Sequence, residues 1–544
     1  MTRDSILLAV TLATPLAILA IYLSFPAARW GRTCLPFAPV PALATTLLAS
    51  DGSTLKLPDA LLGLTLTLDK PGALLLGTVA FLWIAAALYA GADRHMHAND
   101  RRFTIWWLIT LIGSLGIFIA ADLAGFYLFF TIVSLAAYWL VVENATPSVR
   151  RAGIVYVSFA LLGEAFLLLA FVLLAAAAPD GSLLIRDAVA ALPTSSMHGL
   201  VLALLILGFG IKIGLVPLHV WMPLTYSAAP IPVAAVLSGA AVKAGVIGLI
   251  RFLPFDTASP IWGEALVGFG LFSAFYGVAI GVTQSNPKTV LAYSSISQMG
   301  MIATILGMGL AAGDGGVAIL AAFYALHHIL VKGGLFLAVG MATRNGARGL
   351  WPMLLPAAVI ALGLGGLPLT GGALAKSAVK GPLGEGMVGT LAMLSAAAST
   401  FLMLHFLRRL AASIGDSDNG KAPAGLLMPW LAIVCAAIAL PWVLYSGITG
   451  ESWLDALSPK AIWESLWPIL VGGLLVVPLQ RWGSLLPTIP PGDVLVTGAA
   501  VARAGEGLGV IMERIDWHLR QWAVAGILFL AFSVILVGIM FIGR

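Results

Sequence analysis

The chain has 544 residues, 60% of them hydrophobic and only 10% charged, with a mean hydropathy of +1.01. Apolar runs of roughly 20 residues, the length that crosses a hydrocarbon core, recur throughout, which excludes a soluble globular domain and describes an all-α polytopic membrane protein. The formal charge of +5 gives no reason to expect nucleic acid, because Arg and Lys fall between the apolar runs, where the positive-inside bias of membrane loops accounts for them.

In chain order the runs predict spans near 5–24, 33–50, 72–91, 104–121, 123–142, 154–177, 199–221, 231–253, 264–283, 289–309, 316–341, 353–375, 387–411, 428–447, 463–479 and 522–542. The first lacks a small-residue cleavage site before the next run, so it reads as a membrane helix and not as a signal peptide. Loops after odd-numbered spans carry Arg29, Arg32, Arg94, Arg101, Arg102, Arg150, Arg151, Lys288, Arg344, Arg348, Arg408, Arg409 and Lys421, whereas the even loops carry Lys56, Lys70, Arg186, Arg251, Lys380 and Lys460. This bias predicts cytoplasmic odd loops and an N-terminus outside. A stretch over 494–520, with Arg503, Arg514 and Arg520 among apolar residues, reads equally as an amphipathic helix on the membrane or a partner, or as a solvated connector. Trp106 and Trp107 are expected in an aromatic belt.

Four lysines interrupt stretches otherwise apolar enough for the bilayer: Lys212, Lys243, Lys332 and Lys376. A cation at the bilayer centre costs about 3 kcal/mol on insertion scales, so each is a functional candidate, and together they point to ion transport. Any one of them alone could instead snorkel to a headgroup. Two of the spans also carry helix breakers. The seventh holds Gly208, Gly210, Gly214 and Pro217 around Lys212, and the twelfth holds Gly363, Gly365, Gly366, Pro368, Gly371 and Gly372 before Lys376. Interrupted helices survive in a membrane only where protein or water satisfies the freed backbone groups, and paired interruptions point to inverted repeats around a central site. Tyr293, Ser294, Ser295, Ser297 and Gln298 give the tenth span a polar face that either wets a channel or bonds neighbouring helices. His219, near the end of a span, reads equally as an interface residue or a proton carrier. Glu385 reads as a loop charge. Cys34 and Cys435 show no metal spacing and read as apolar fillers.

The segment Gly210-Ile-Lys-Ile-Gly-Leu-Val-Pro-Leu-His-Val-Trp-Met-Pro223, continuing through Ala229-Pro-Ile-Pro232 to Ser238-Gly-Ala-Ala-Val-Lys243, resembles the antiporter-like subunits shared by respiratory complex I, membrane hydrogenases and Mrp-type cation/proton antiporters. The resemblance continues in Leu291-Ala-Tyr-Ser-Ser-Ile-Ser-Gln-Met-Gly300, His327-His-Ile-Leu-Val-Lys-Gly-Gly-Leu-Phe336 and Gly366-Leu-Pro-Leu-Thr-Gly-Gly-Ala-Leu-Ala-Lys376, and covers roughly 104–411. The His-His-x-x-Val-Lys pattern looks most like the D-type subunit of Mrp antiporters. The resemblance implies 14 core helices with two inverted five-helix repeats and broken helices, here followed by about two more. The corresponding domains are 1–103, 104–253 and 254–411 as half-channels after an N-terminal unit, and 412–544.

It further implies a proton relay, with Lys212 as the switch of the first half-channel, Lys243 relaying to the middle, His328 and Lys332 as the link and Lys376 as the terminal group. His328 lies at i−4 from Lys332 and shares its face, whereas His327 is out of phase, so His328 is preferred. One departure stands out. The family's fifth-helix glutamate falls on Thr131 when the chain is aligned on Asp122, and Glu164, in Leu161-Leu-Gly-Glu-Ala165, is the candidate carboxylate partner for Lys212. Without it Lys212 would be a buried charge with no counter-ion.

The resemblance implies other membrane subunits as partners, protons and Na+ as cargo, and a multi-pass location in a bacterial inner membrane, in contact with lipid. No cofactor, metal or catalytic residue is expected, since no Cys cluster, phosphate-binding loop or metal-spaced His set occurs. The leading function is a subunit of a cation/proton antiporter. Alternatives are a proton-pumping subunit of a complex I-like oxidoreductase or hydrogenase, the membrane partner of an ion-driven inorganic carbon transporter, and a non-conducting scaffold.

Overall fold

In the computed structural model the described residues are 2–24, 31–93, 100–143, 146–343, 350–413, 423–482, 487 and 489–492. The expected last span and the amphipathic 494–520 stretch lie outside them, as do Arg29, Arg94, Arg344, Arg348 and Lys421.

The first half of the bundle is built from α1 (Arg3–Ser24), α2 (Val40–Leu48), α3 (Lys70–Ala92), α4 (Asp100–Gly116), α5 (Leu123–Val141) and α6 (Pro147–Ala177). It continues with α7 (His198–Ile213) and α8 (Trp221–Ala228), then α9 (Ile231–Phe252). The second half comprises α10 (Pro260–Gly281), α11 (Pro287–Ala312), α12 (Val317–Ala342), α13 (Leu350–Gly365), α14 (Gly371–Ala378), α15 (Met387–Ala412), α16 (Ala424–Thr449) and α17 (Pro459–Trp482). Eleven helices among the described residues are long and apolar enough to cross a membrane. Starts follow local chemistry: Asp69 caps α3 by accepting from Gly72 N (2.7 Å), and Asp122 caps α5 by accepting from Gly125 N (2.7 Å).

Four expected spans are shorter than predicted, each for a visible reason. Pro36 and Pro39 break the 33–50 run and Pro41 sits in the first turn of α2, which has nine residues. α4 stops at Gly116 because the chain then leaves the helix to pair with an unpredicted hairpin. That hairpin, β1 (Ser53–Leu57) and β2 (Leu64–Leu68), is antiparallel, and Ala121 N donates to Thr65 O (2.9 Å) while Ile185 N donates to Ala121 O (3.0 Å). The other two, α7 and α13, end at the breaks anticipated from glycine and proline.

Both breaks are satisfied internally, as a non-helical backbone at membrane depth requires. After α7 the chain turns at Gly214 (φ 75°), Trp221 Nε1 donates to Ile211 O (2.8 Å), and Val216 N donates to Ser273 Oγ (3.0 Å). Between α13 and α14, Thr370 Oγ1 donates to Leu367 O (2.7 Å). Gly372 packs so tightly on the Gly363 carbonyl that no Cβ would fit.

α9 carries a third irregularity that sequence did not suggest. Leu237–Ala241 forms a π turn, in which Val242 N donates to Leu237 O (3.2 Å). The Ser238 carbonyl is thereby released from its α-helical donor and accepts instead from Lys243 Nζ (3.1 Å).

Trp107 is fully buried, edge-on to Trp83 at 4.7 Å. It is a core residue and not part of an interfacial belt. Trp106 stacks on Trp139 at 5.3 Å.

Candidate functional site

The first cluster sits where α5, α6 and α7 meet. Lys212, near the end of α7, is buried and donates through Nζ to Ser134 Oγ (2.7 Å), with Nζ 5.2 Å from the Phe130 ring centre. Ser134 itself donates to Phe130 O (2.8 Å), so its oxygen is held in place. Glu164 of α6 is 4% exposed, lies in the field of Lys212, and has the hydroxyls of Ser134 and Thr131 beside its carboxylate. Its Oε1 and Thr131 Oγ1 make no hydrogen bond. The structure thus brings Glu164 and Lys212 together with Ser134 between them, and puts Thr131, the position where an acid was missing, in the same cluster.

α9 continues the line. A Cβ added to Gly245 would lie 3.0 Å from Lys212 Cβ, so the absent side chain lets α9 close onto the Lys212 stem. Two residues earlier, Lys243 is fully buried, and its Nζ lies 2.6 Å from His328 Nδ1 on α12. One proton is shared between these nitrogens whichever of them holds it. Lys332, one turn along α12, is also fully buried and donates to Leu291 O (3.0 Å). Lys243, His328 and Lys332 lie within one another's field, and no acidic side chain hydrogen-bonds them among the described residues. A proton on one therefore disfavours a proton on the next.

The line turns toward α14 through a residue that sequence reasoning set aside. His327 is out of phase with His328, and that is what points it at the second helix break. It faces Gly363 and Gly372 and lies in the field of Lys376. The signal was available in the paired glycines, because a close-packed break needs a neighbour to fill beside it. Lys376 Nζ lies 5.8 Å from the Tyr324 ring centre, Tyr324 OH donates to Gln298 Oε1 (2.7 Å), and Gln298 Nε2 donates to Ser399 Oγ (2.9 Å). Lys376 borders a cavity of about 320 Å³ whose far rim holds Lys380, Glu385 and Glu464. Lys380 and Glu464 pair at 2.8 Å, and Glu385 is an exposed charge of the loop before α15, as expected, at the rim of this cavity.

The polar face of α11 lies between these clusters. Ser295 pairs with Ser238 (3.1 Å), which places it beside the π turn. His219 is fully buried between the rings of Tyr276 and Tyr293, at 5.1 and 6.3 Å, so it belongs to the bundle interior and not to a membrane interface. Pro217 and Pro368 both fall inside the breaks. Among the described residues no group of His, Cys, Asp and Glu could hold a metal ion.

A further residue, missed because a charge at a span end reads as a loop charge, fixes the geometry. Arg251, at the end of α9, holds Asp69 through Nη2 (3.0 Å) and Nε (3.1 Å). It also donates to Phe118 O (2.7 Å), Ala120 O (2.7 Å) and Ile117 O (3.3 Å). Those carbonyls follow the end of α4, so Arg251 ties α9 to the start of α3 and the end of α4.

Comparison with known proteins bears on the fold and the family. NADH-quinone oxidoreductase subunit N of Desulforudis audaxviator is 33% identical over 303 residues, 53% of this chain and 58% of that protein. The D-type Na(+)/H(+) antiporter subunit of Bacillus subtilis is 26% identical over 428 residues, 73% of this chain and 83% of that protein. The chain spans less than two thirds of the length of several curated relatives, 58% and 40% for two of them. A chain of the Mrp complex from Dietzia sp. DQ12-45-1b superposes with a TM-score of 0.77 at 20% identity, covering 99% of this chain and 63% of that one, which shows a shared fold. Residues 120–402, more than half of the chain, match the family described as NADH:quinone oxidoreductase/Mrp antiporter, TM, and the chain belongs to that family.

Proposed function

We propose that this chain is a proton-translocating integral membrane subunit of a multisubunit cation/proton (Na+/H+) antiporter, working by a charge relay. The observation that carries the reading is a row of buried ionisable groups, from Glu164 and Lys212 through Lys243, His328 and Lys332 to His327, that ends at the half-buried Lys376 beside a cavity. Each burial is costly on its own, and a row of them across one bundle has no structural use that apolar residues would not serve better. A carboxylate near a lysine holds its proton, and its withdrawal lets the proton leave. Ser134, already bonded to Lys212 and beside Glu164, is the position through which that exchange passes. The N-terminus lies outside and the odd loops face the cytoplasm of a bacterial cell, and the chain works among other membrane subunits.

The direct test is cation-driven proton movement in inverted membrane vesicles carrying the assembled complex. Lys212→Ala should abolish it at equal membrane abundance, and Lys212→Arg should fail as well, since a guanidinium does not release its proton. Wild-type transport in the alanine variant would sink the relay. A second reading, a proton-pumping subunit of a complex I-like oxidoreductase, is favoured by the 33% identity to an oxidoreductase subunit N. Subunits that co-purify separate the two, because iron–sulfur and quinone-reactive partners belong only to the second.

A further inference from the structure

At the opposite end of the bundle from the hairpin, the start of α4, the end of α5 and the start of α6 enclose a cavity of about 310 Å³. It lies at the ends of α5 and α6, both long and apolar enough to cross a membrane, and so at the depth at which lipid headgroups sit. Two of its walls are cationic, Arg102 and Arg150, with Glu143 as an acid on the lining. Arg101 and Arg151 stand next to them, exposed. The Arg102 guanidinium is docked 4.8 Å over the Trp139 ring, which in turn stacks on Trp106 at 5.3 Å. Arg102 is therefore held in place by an aromatic platform and does not sweep freely through solvent.

The apolar side of the cavity continues into the bilayer. Ile154, on its rim and 59% exposed, begins a stripe of exposed side chains down α6 that runs through Leu161, Leu168 and Val172. Spacing of seven, seven and four residues keeps them on one helix face. A positively charged pocket at headgroup depth above an apolar track is the shape of a diacyl lipid with an anionic head, and positive-inside bias alone explains neither the cavity nor the track.

We propose that this pocket binds one anionic diacyl phospholipid, its phosphate between Arg102 and Arg150 and an acyl chain along the Ile154 face of α6. The site does not depend on the transport reading, since it shares no residue with the relay.

The test uses the full-length purified chain in detergent, measuring retention of phosphatidylglycerol against phosphatidylcholine by native mass spectrometry. Wild type should prefer phosphatidylglycerol, and Arg102→Gln and Arg150→Gln should each reduce that preference about fivefold. Arg408→Gln with Arg409→Gln, on other cations of the same kind of loop, should leave it unchanged. Phosphatidylglycerol brominated on its acyl chains should quench indole fluorescence less in Trp139→Phe, a readout that does not require removing charge. Equal preference in wild type and the Arg102/Arg150 double variant overturns the site. So does displacement of the lipid by inorganic phosphate at equal concentration, which would make it a free-anion pocket. Loss of a co-purifying subunit in the double variant with lipid retention intact would make this face a protein interface and overturn it too.

Discussion

Lys243 Nζ and His328 Nδ1 meet at 2.6 Å across the contact between α9 and α12, and the π turn at Leu237–Ala241 makes the meeting possible. By freeing the Ser238 carbonyl for Lys243 Nζ, it anchors the lysine head between that carbonyl and the histidine ring. The pair is a junction, since the next basic group, Lys332, is on the same helix as His328, and His327 faces away toward Lys376.

The two adjacent histidines should therefore fail differently. His328→Ala removes the ring nitrogen that shares a proton with Lys243, and should abolish proton movement through both halves while leaving assembly intact. His327→Ala should spare exchange at Lys212 and Lys243 but break the step to Lys376. Proton uptake by the complex, followed with a pH dye during a single driven turnover, separates them: a residual partial uptake is expected in His327→Ala and none in His328→Ala. Identical wild-type traces for both variants would remove the histidines from the path.

Arg251 supports a prediction about stability with no assumption about transport. Arg251→Ala leaves the carbonyls of Ile117, Phe118 and Ala120 without their donor, at a cost of about 1–3 kcal/mol for unmet buried groups. The Asp69 carboxylate is 41% exposed, so its share is small. The expected result is a lower melting temperature in detergent for Arg251→Ala. Arg251→Lys should rescue it only in part, because one ammonium cannot reach a carboxylate and three carbonyls at once. An unchanged melting temperature in Arg251→Ala would show the latch to be idle.

How much of this was legible in the sequence depended on how local the cause was. The four lysines were visible because burial of a cation is costly wherever it occurs, and the two broken helices because Gly214, Pro217, Gly366 and Pro368 act on their own backbone. Glu164 could be reached by asking what else might neutralise Lys212. Ser134 could not, because its place between the two follows from the packing of α5 against α6 and α7. His327 was set aside by a rule about one helix face, although its partner lies on another helix. The hairpin was missed despite the alternation of Leu64-Thr-Leu-Thr-Leu68, which is a strand pattern, because composition had already filled the chain with helices. The π turn has no sequence signature that would have separated it from an ordinary helix.

Orientation is testable by labelling. With the odd loops cytoplasmic, a cysteine at Arg151 in intact cells should be shielded from a membrane-impermeant thiol reagent, and one at Asp180 should label. Cys435 is exposed on the protein surface, so both variants are made in a Cys435→Ala background. The reverse pattern would invert the bundle and place the Lys376 cavity on the cytoplasmic side.

The most exposed prediction concerns the missing fifth-helix acid. Glu164 reaches the Lys212 neighbourhood from α6, and Thr131 faces the same carboxylate from α5, so an acid introduced at Thr131 would enter the same cluster from the neighbouring helix. Glu164→Gln should impair proton coupling, because an amide of the same shape cannot hold a charge against the ammonium. Thr131→Glu combined with Glu164→Gln should restore at least part of the activity. In the single Thr131→Glu variant two carboxylates share one cluster and repel, so that variant should perform worse than the combination. The cycle of Glu164→Gln, Lys212→Ala and both together should be strongly non-additive, since groups acting through one shared bond lose the same function once. If Glu164→Gln is silent, or its loss simply adds to that of Lys212→Ala, then Lys212 works through Ser134 alone and the carboxylate has no part in the relay.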